Sequence, residues 1–395
     1  MTEKSRKRLL VLLGAAHSLN HSLFLVAPPL LLIIMQDLKT SQLALGVIGT
    51  LSSMIYGLGS LVGGPLSDKI NEIKIITICL AFAGASTFIF IFANNLFIYS
   101  LALFLMAAWA SLYHPTANSL ISKEFHGQMA EAMGIHGVGG TLGIILTPIM
   151  AFSIGIAFGW RISFIVFGVL SVVLAILLLR NRSQTVRTQS KVGILELFKI
   201  KGLWILLVFN VVIGLYMKGI EYFLPTYLTL KPFQALDQET AKFWAAMAAT
   251  LVLASGALGQ WLGGKASDRI GSKKVLIATS VGVLTSLLFL QFTPIWLLGV
   301  SAFIVLYGVS FYGHQPALNS LTGIMTPTER RGVVYGIFFF TSFGLGSISQ
   351  AVAGYFMDKY GSVEPSFYIL TIFAVIALAL SFIIPDKREK QTEKS

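Results

Sequence analysis

Gly263-Gly264-Lys265-Ala266-Ser267-Asp268-Arg269-Ile270 repeats, 200 residues downstream, the stretch Gly63-Gly64-Pro65-Leu66-Ser67-Asp68-Lys69-Ile70. Mostly apolar segments surround both copies, so the chain reads as a duplicated membrane protein. The echo continues, because Tyr113-His114-Pro115 and Asn118-Ser119-Leu120 return as Gly313-His314-Gln315-Pro316 and Asn319-Ser320-Leu321. Two halves share one plan.

Hydrophobic residues make up 55% of the 395 residues and charged ones 12%, with a mean hydropathy of +0.79. That is too apolar for a water-soluble fold, and the bilayer is the expected solvent. A spanning helix needs roughly 20 apolar residues. Gly and Pro punctuation with charge clusters cuts the chain into twelve such segments, at 9–35, 42–66, 74–93, 96–121, 130–156 and 162–180, then 202–229, 240–265, 274–292, 295–322, 332–356 and 364–384. The predicted fold class is an all-α integral membrane protein with twelve transmembrane helices in two six-helix repeats. Residues 1–180 form the first bundle, 181–201 a cytoplasmic linker, and 202–395 the second bundle with a short cytoplasmic tail. Six is even, so both repeats run the same way through the membrane, related by an axis along its normal.

A net charge of +12 suggests nucleic acid in a soluble protein, but here placement decides. With the N-terminus in the cytoplasm, 23 of the 29 Lys and Arg fall on that side. The other side receives Lys39, Arg161, Lys231, Lys242 and Lys359, and Lys218 alone lies well inside a span. This is the positive-inside pattern of a multi-pass protein of the cytoplasmic membrane with both termini cytoplasmic, not a nucleic-acid footprint. Lys4, Arg6, Lys7 and Arg8 before an apolar run imitate a signal peptide, yet the run continues to Met35. It is expected to stay as the first helix.

Twelve spans in two parallel halves, with Gly264-x-x-x-Asp268-Arg269-x-Gly271-x-Lys273-Lys274 between spans eight and nine, resemble the major facilitator superfamily. The first copy, Gly64-x-x-x-Asp68-Lys69, lacks the following Gly and part of the basic pair. Within that superfamily the chain resembles fosmidomycin-resistance-type exporters, through Ala16-His17-x-x-Asn20, Tyr113-His114-Pro115 and Gly139-Gly140-Thr141-Leu142-Gly143. Thr147-Pro148 departs from the Gly-Pro of drug–proton antiporters, and His21 stands where those exporters place an acidic residue. The resemblance implies alternating access, a pathway surrounded by spans one, four, seven and ten, and proton antiport as the mode of export.

Asp68 and Asp268 are expected at the cytoplasmic ends of their helices, each accepting hydrogen bonds from a neighbouring helix N-terminus and so locking one access state. Gly64 and Gly264 are expected to let helices approach, and Lys69, Arg269, Lys273 and Lys274 to hold the inner interface. The plainer reading makes all of these topology determinants and packing residues.

Five of the six histidines, His17, His21, His114, His136 and His314, fall inside spans. An ionisable group there is costly unless it faces a cavity or a partner, so each is a pathway candidate, the alternative being a neutral histidine that bridges helices. His17, Asn20 and His21 share one helix face. His114 and His314 occupy matching positions on spans four and ten and are expected on opposite walls, with Pro115 and Pro316 beside them, and Pro148 in span five, to let helices bend. A histidine that takes a proton as solute leaves would couple the two. Lys218 and Glu221 can pair locally, or Lys218 can attract an anion from the cavity or snorkel away. Tyr113, Tyr216 and Tyr312 share turns with these groups.

The leading function is a secondary transporter for a small anionic or amphiphilic solute, with protons as coupling ion, working as a monomer in the lipid bilayer. No Gly-x-x-x-x-Gly-Lys-[Ser/Thr] loop is present for ATP, no hydrolase constellation marks an enzyme, and no cofactor is implied. Import of an organic acid with protons, transition-metal transport through the histidines, and a non-transporting sensor are the alternatives. Cys79 is the single cysteine and carboxylates within spans are few, so no metal site is expected.

Overall fold

The computed structural model describes residues 3–67, 70–124, 129–180, 201–325 and 331–385. Among these, twelve helices are long and apolar enough to cross a membrane. They are Ser5–Asp37, Gln42–Gly63, Glu72–Phe92, Leu96–Asn118, Ile135–Phe158, Trp160–Leu178, Gly202–Leu230, Gln238–Ser267, Ser272–Phe292, Trp296–Thr322, Gly336–Tyr360 and Glu364–Ile383, here spans one to twelve. Most of the linker and the tail lie outside the described residues.

Four spans are not single α-helices: span three ends in a 3₁₀ stretch at Thr87–Phe92, and the other three departures each have a local cause. In span one the helix Glu3–Leu25 passes through a 3₁₀ turn at Pro28–Leu30 before Leu31–Asp37, because Pro28 and Pro29 carry no N–H for the α ladder. Span four breaks between Leu96–Ala110 and Tyr113–Glu124, just before Pro115, whose missing N–H leaves the Ser111 carbonyl without its helical donor. Asn20 Nδ2 donates to the Ala110 carbonyl at 3.0 Å, so span one patches the break. Span eleven, predicted as continuous, contains a π-helical turn at Phe340–Leu345. Asn210 of span seven fixes it, donating to the Phe338 carbonyl at 2.6 Å and contacting Thr341 Oγ1 at 2.9 Å. Pro148 and Pro316 sit inside unbroken helices.

The two halves meet along spans two and eleven. Thr50 Oγ1 donates to the Ser347 carbonyl at 2.6 Å, Ser347 Oγ to the Thr50 carbonyl at 3.1 Å, and Tyr222 Oη to the Leu45 carbonyl at 2.9 Å. Small residues make this possible, since a Cβ on Gly46 or Gly354 would strike the backbone of the facing span. At the far end Asp358 accepts from Gln42 N and Leu43 N. Spans five and eight also meet near that face, at Phe152 and Phe243. On the same face Arg161 pairs with Asp37 at 2.7 Å and Lys231 with Glu364 at 2.6 Å. The latter pairing holds the Lys231 ammonium above its ordinary pKa.

Candidate functional site

Where spans five and eight separate, a cavity of about 750 Å³ opens between the halves. Spans one, four and five give it His17, His21, His114 and His136, and spans seven and ten give it Glu221, Tyr312 and His314. It also reaches Asn118 and Asn319, the repeated asparagines, and Gly137 and Gln260 on the motif-bearing ends of spans five and eight.

Glycines on span five build the histidine wall. A Cβ on Gly139 would strike the Gly14 backbone, on Gly143 that of Ser18, and on Gly140 the His17 imidazole. Span one therefore lies almost against the span-five backbone, and the His17 ring stacks on His136 with centroids 4.2 Å apart and planes within 8°. His21 lies 4.7 Å from His17, and His114 5.0 Å from His17, between ring centroids.

Two backbone carbonyls set the direction of every hydrogen bond in this group. The Leu13 carbonyl only accepts, so Tyr113 Oη donates to it at 2.6 Å, and the 3.0 Å contact with His136 Nε2 runs from the ring N–H to the phenol oxygen. The His136 carbonyl likewise receives the His17 Nδ1–H at 2.9 Å. His17 Nε2 is then the lone-pair nitrogen of a neutral ring, and His21 Nε2–H donates to it at 3.0 Å. His114 Nε2 is buried without a hydrogen-bond partner.

Three of the expected pathway residues are buried and do not line the cavity. Asn20 holds the span-four break and accepts from Tyr56 Oη at 2.8 Å. Tyr113 is fully buried beneath the histidines, and Tyr216 packs on Phe311. Lys218 does not snorkel. It is buried, pairs with Glu221 at 2.5 Å, lies 4.1 Å from the centre of the Phe343 ring, and faces a separate small pocket. Its charge is answered by Glu221, so the cavity owes no net positive charge to this pair. His314 faces the cavity across from His114, its Nδ1 turned to the Phe311 carbonyl of its own helix.

In the signature motif the close approach falls one residue earlier than expected. A Cβ on Gly264 would lie 3.9 Å from Pro316 Cβ, ordinary contact, whereas one on Gly263 would strike the Gly313 backbone. Gly63 is its counterpart, facing Pro115. The reason is rotation, since a helix turns about 100° per residue and only one of two adjacent glycines faces the neighbour. Gly271 ends span eight at φ 94, a backbone that favours glycine. Arg269 and Lys274 are exposed and Lys273 half-buried. Asp68, Lys69, the surroundings of Gly64 and the side chain of Asp268 lie outside the described residues.

Sequence reasoning missed Asn210 and Asp358. The signal for Asp358 was present, because Gly354-x-x-x-Asp358-Lys359-x-Gly361 repeats Gly264-x-x-x-Asp268-Arg269-x-Gly271 after 90 residues. This copy lies at the opposite membrane face.

Twelve spans in two parallel halves around a central cavity define a membrane transporter of the alternating-access class. The sequence matches the Major Facilitator Superfamily over residues 10–351 and 245–395, and the chain belongs to that family. It is 26% identical to the fosmidomycin resistance protein of Escherichia coli, over 96% of this chain and 94% of that protein. It is also 26% identical to a probable sulfoacetate transporter, SauU, of Cupriavidus necator, over 88% of this chain and 86% of the other. A bacterial homologue of the human lysosomal transporter Spinster, solved inward-facing and unoccupied, superposes with a TM-score of 0.79 at 18% identity, covering 97% of this chain and 98% of that one. The nucleoside transporter NupG superposes at 0.78 with 17% identity, covering 95% and 98%. At these identities the superpositions speak for the fold alone.

Proposed function

We propose that this chain exports a small anionic or amphiphilic solute across the cytoplasmic membrane in exchange for protons, as a monomer, through the cavity between its halves. The observation that carries this reading is the cavity wall itself, with four imidazoles on one side facing aromatic rings and a carboxylate on the other. The N–H groups of His17, His21 and His136 are given to protein acceptors, so His114 is the imidazole of this wall left to meet an anionic oxygen, and rings such as Tyr307, Phe311 and Phe339 suit an apolar tail. The relatives named for fosmidomycin and sulfoacetate support an anionic class. Spans two and eleven close the face opposite the signature motif, so a solute enters from the motif side, which the distribution of Lys and Arg assigns to the cytoplasm.

We place the proton on Glu221, the carboxylate among the described residues lining the cavity. Protonation there breaks its pair with Lys218 and leaves that ammonium to find another partner. His114 then holds the solute, while the fixed bond directions of His17, His21 and His136 keep the wall ordered.

The test uses proteoliposomes that enclose a pH-sensitive dye and are challenged with phosphonates, carboxylates, sulfonates and lipophilic drugs. A ligand-dependent pH change is expected for at least one anionic class. Silence across the panel, with binding still detected by thermal shift, contradicts proton exchange and favours another coupling ion or a sensor.

A further inference from the structure

His17, His21 and His114 come from two spans and nearly a hundred residues of separation, yet their ligand nitrogens all lie within 4.8 Å of one another. We propose that these three imidazoles bind a divalent transition metal such as Zn²⁺, Co²⁺ or Ni²⁺, with the cavity as its fourth coordination position. Imidazole suits this class of ion, and three histidines with one open position is an established zinc geometry.

Three features point the same way. First, His17 donates its Nδ1–H to a backbone carbonyl at 2.9 Å. This is the outer contact that orients a metal-ligating histidine and leaves Nε2 as the ligand atom. Second, His21 Nε2 already lies 3.0 Å from that lone pair. Moving the His21 proton to Nδ1 frees both nitrogens for one ion, whose ligands stand about 3.4 Å apart in tetrahedral geometry. Third, His114 Nε2 is buried and has no partner, an uncompensated cost that a metal bond removes. Closing the 4.8 Å limit to that spacing requires side-chain rotation on metal binding.

None of the three ligands is charged when neutral, so a bound dication keeps its positive charge and draws an anion to the open position. Metal binding is separable from proton exchange, because it is read in the absence of any gradient.

The experiment titrates Co²⁺ into the purified full-length protein in detergent, with any affinity tag removed. One ion per chain with the intense visible bands of tetrahedral Co²⁺ is expected. His21→Ala and His114→Ala should weaken binding by at least the roughly 10–100-fold that loss of an outer contact alone produces, whereas His314→Ala, on the opposite wall, should retain it. Melting curves exclude misfolded variants. X-ray absorption on the loaded wild type counts the imidazoles independently of any variant. Absence of stoichiometric binding, undiminished binding in the His21→Ala/His114→Ala double variant, or an absorption spectrum without three imidazoles overturns the proposal.

Discussion

Asp358, in the last turn of span eleven, caps the first turn of span two, accepting from Leu43 N at 2.8 Å and Gln42 N at 3.1 Å. One half thus supplies the acceptor for two free N–H groups of a helix in the other, whose own N-cap is Ser41, accepting from Ala44 N at 3.1 Å, and the carboxylate also faces the positive end of that helix dipole. The arrangement is what the sequence leads one to expect of Asp68 and Asp268, found at the opposite membrane face.

Loss of a carboxylate that faces a helix N-terminus costs about 1 kcal/mol, roughly a fivefold change in the balance between this face closed and open. Asp358→Ala is expected to raise, by about that factor, the rate at which a membrane-impermeant maleimide labels Thr50→Cys in a Cys79→Ser background. Thr50 is buried in the contact between the halves. An unchanged labelling rate would show that the cap does not hold the face shut.

Gly140→Ala places a methyl group against the His17 imidazole. Overpacking of this kind costs about 1–3 kcal/mol, and here it pushes His17 off the His136 carbonyl. Solute flux should fall while the protein still folds. Gly137→Ala, whose Cβ would meet nothing within 4 Å, is the matched control and should transport normally. Equal flux in both would remove the histidine wall from the mechanism.

Asn20→Leu removes the donor to the Ala110 carbonyl and the acceptor for Tyr56. A buried polar group left unpaired costs about 1–3 kcal/mol, so the melting temperature in detergent should drop clearly. Tyr56→Phe removes only the second bond and should cost less. The reverse order would mean that the span-four break does not depend on Asn20.

The fold was legible because its signals are local. Twenty-residue apolar runs, and the return of Gly63 to Ile70 at Gly263 to Ile270, need no knowledge of packing. His17, Asn20 and His21 could be placed on one face by helical period alone. Their meeting with His114 and His136 could not, since it depends on Gly139, Gly140 and Gly143 drawing span one against span five. The π turn at Phe340–Leu345 carries no proline to announce it and is held by Asn210 from another span. Asp358 was readable in principle, but its motif recurs after 90 residues and at the other membrane face, so a search at the 200-residue period passes over it.

Glu221→Gln tests the central claim most directly, by comparing two fluxes in the same proteoliposomes with a solute that the wild type moves. The account predicts that solute–solute exchange survives while net transport driven by a pH gradient is lost, because the glutamine cannot carry the proton. Net transport that still follows the pH gradient in Glu221→Gln would contradict it.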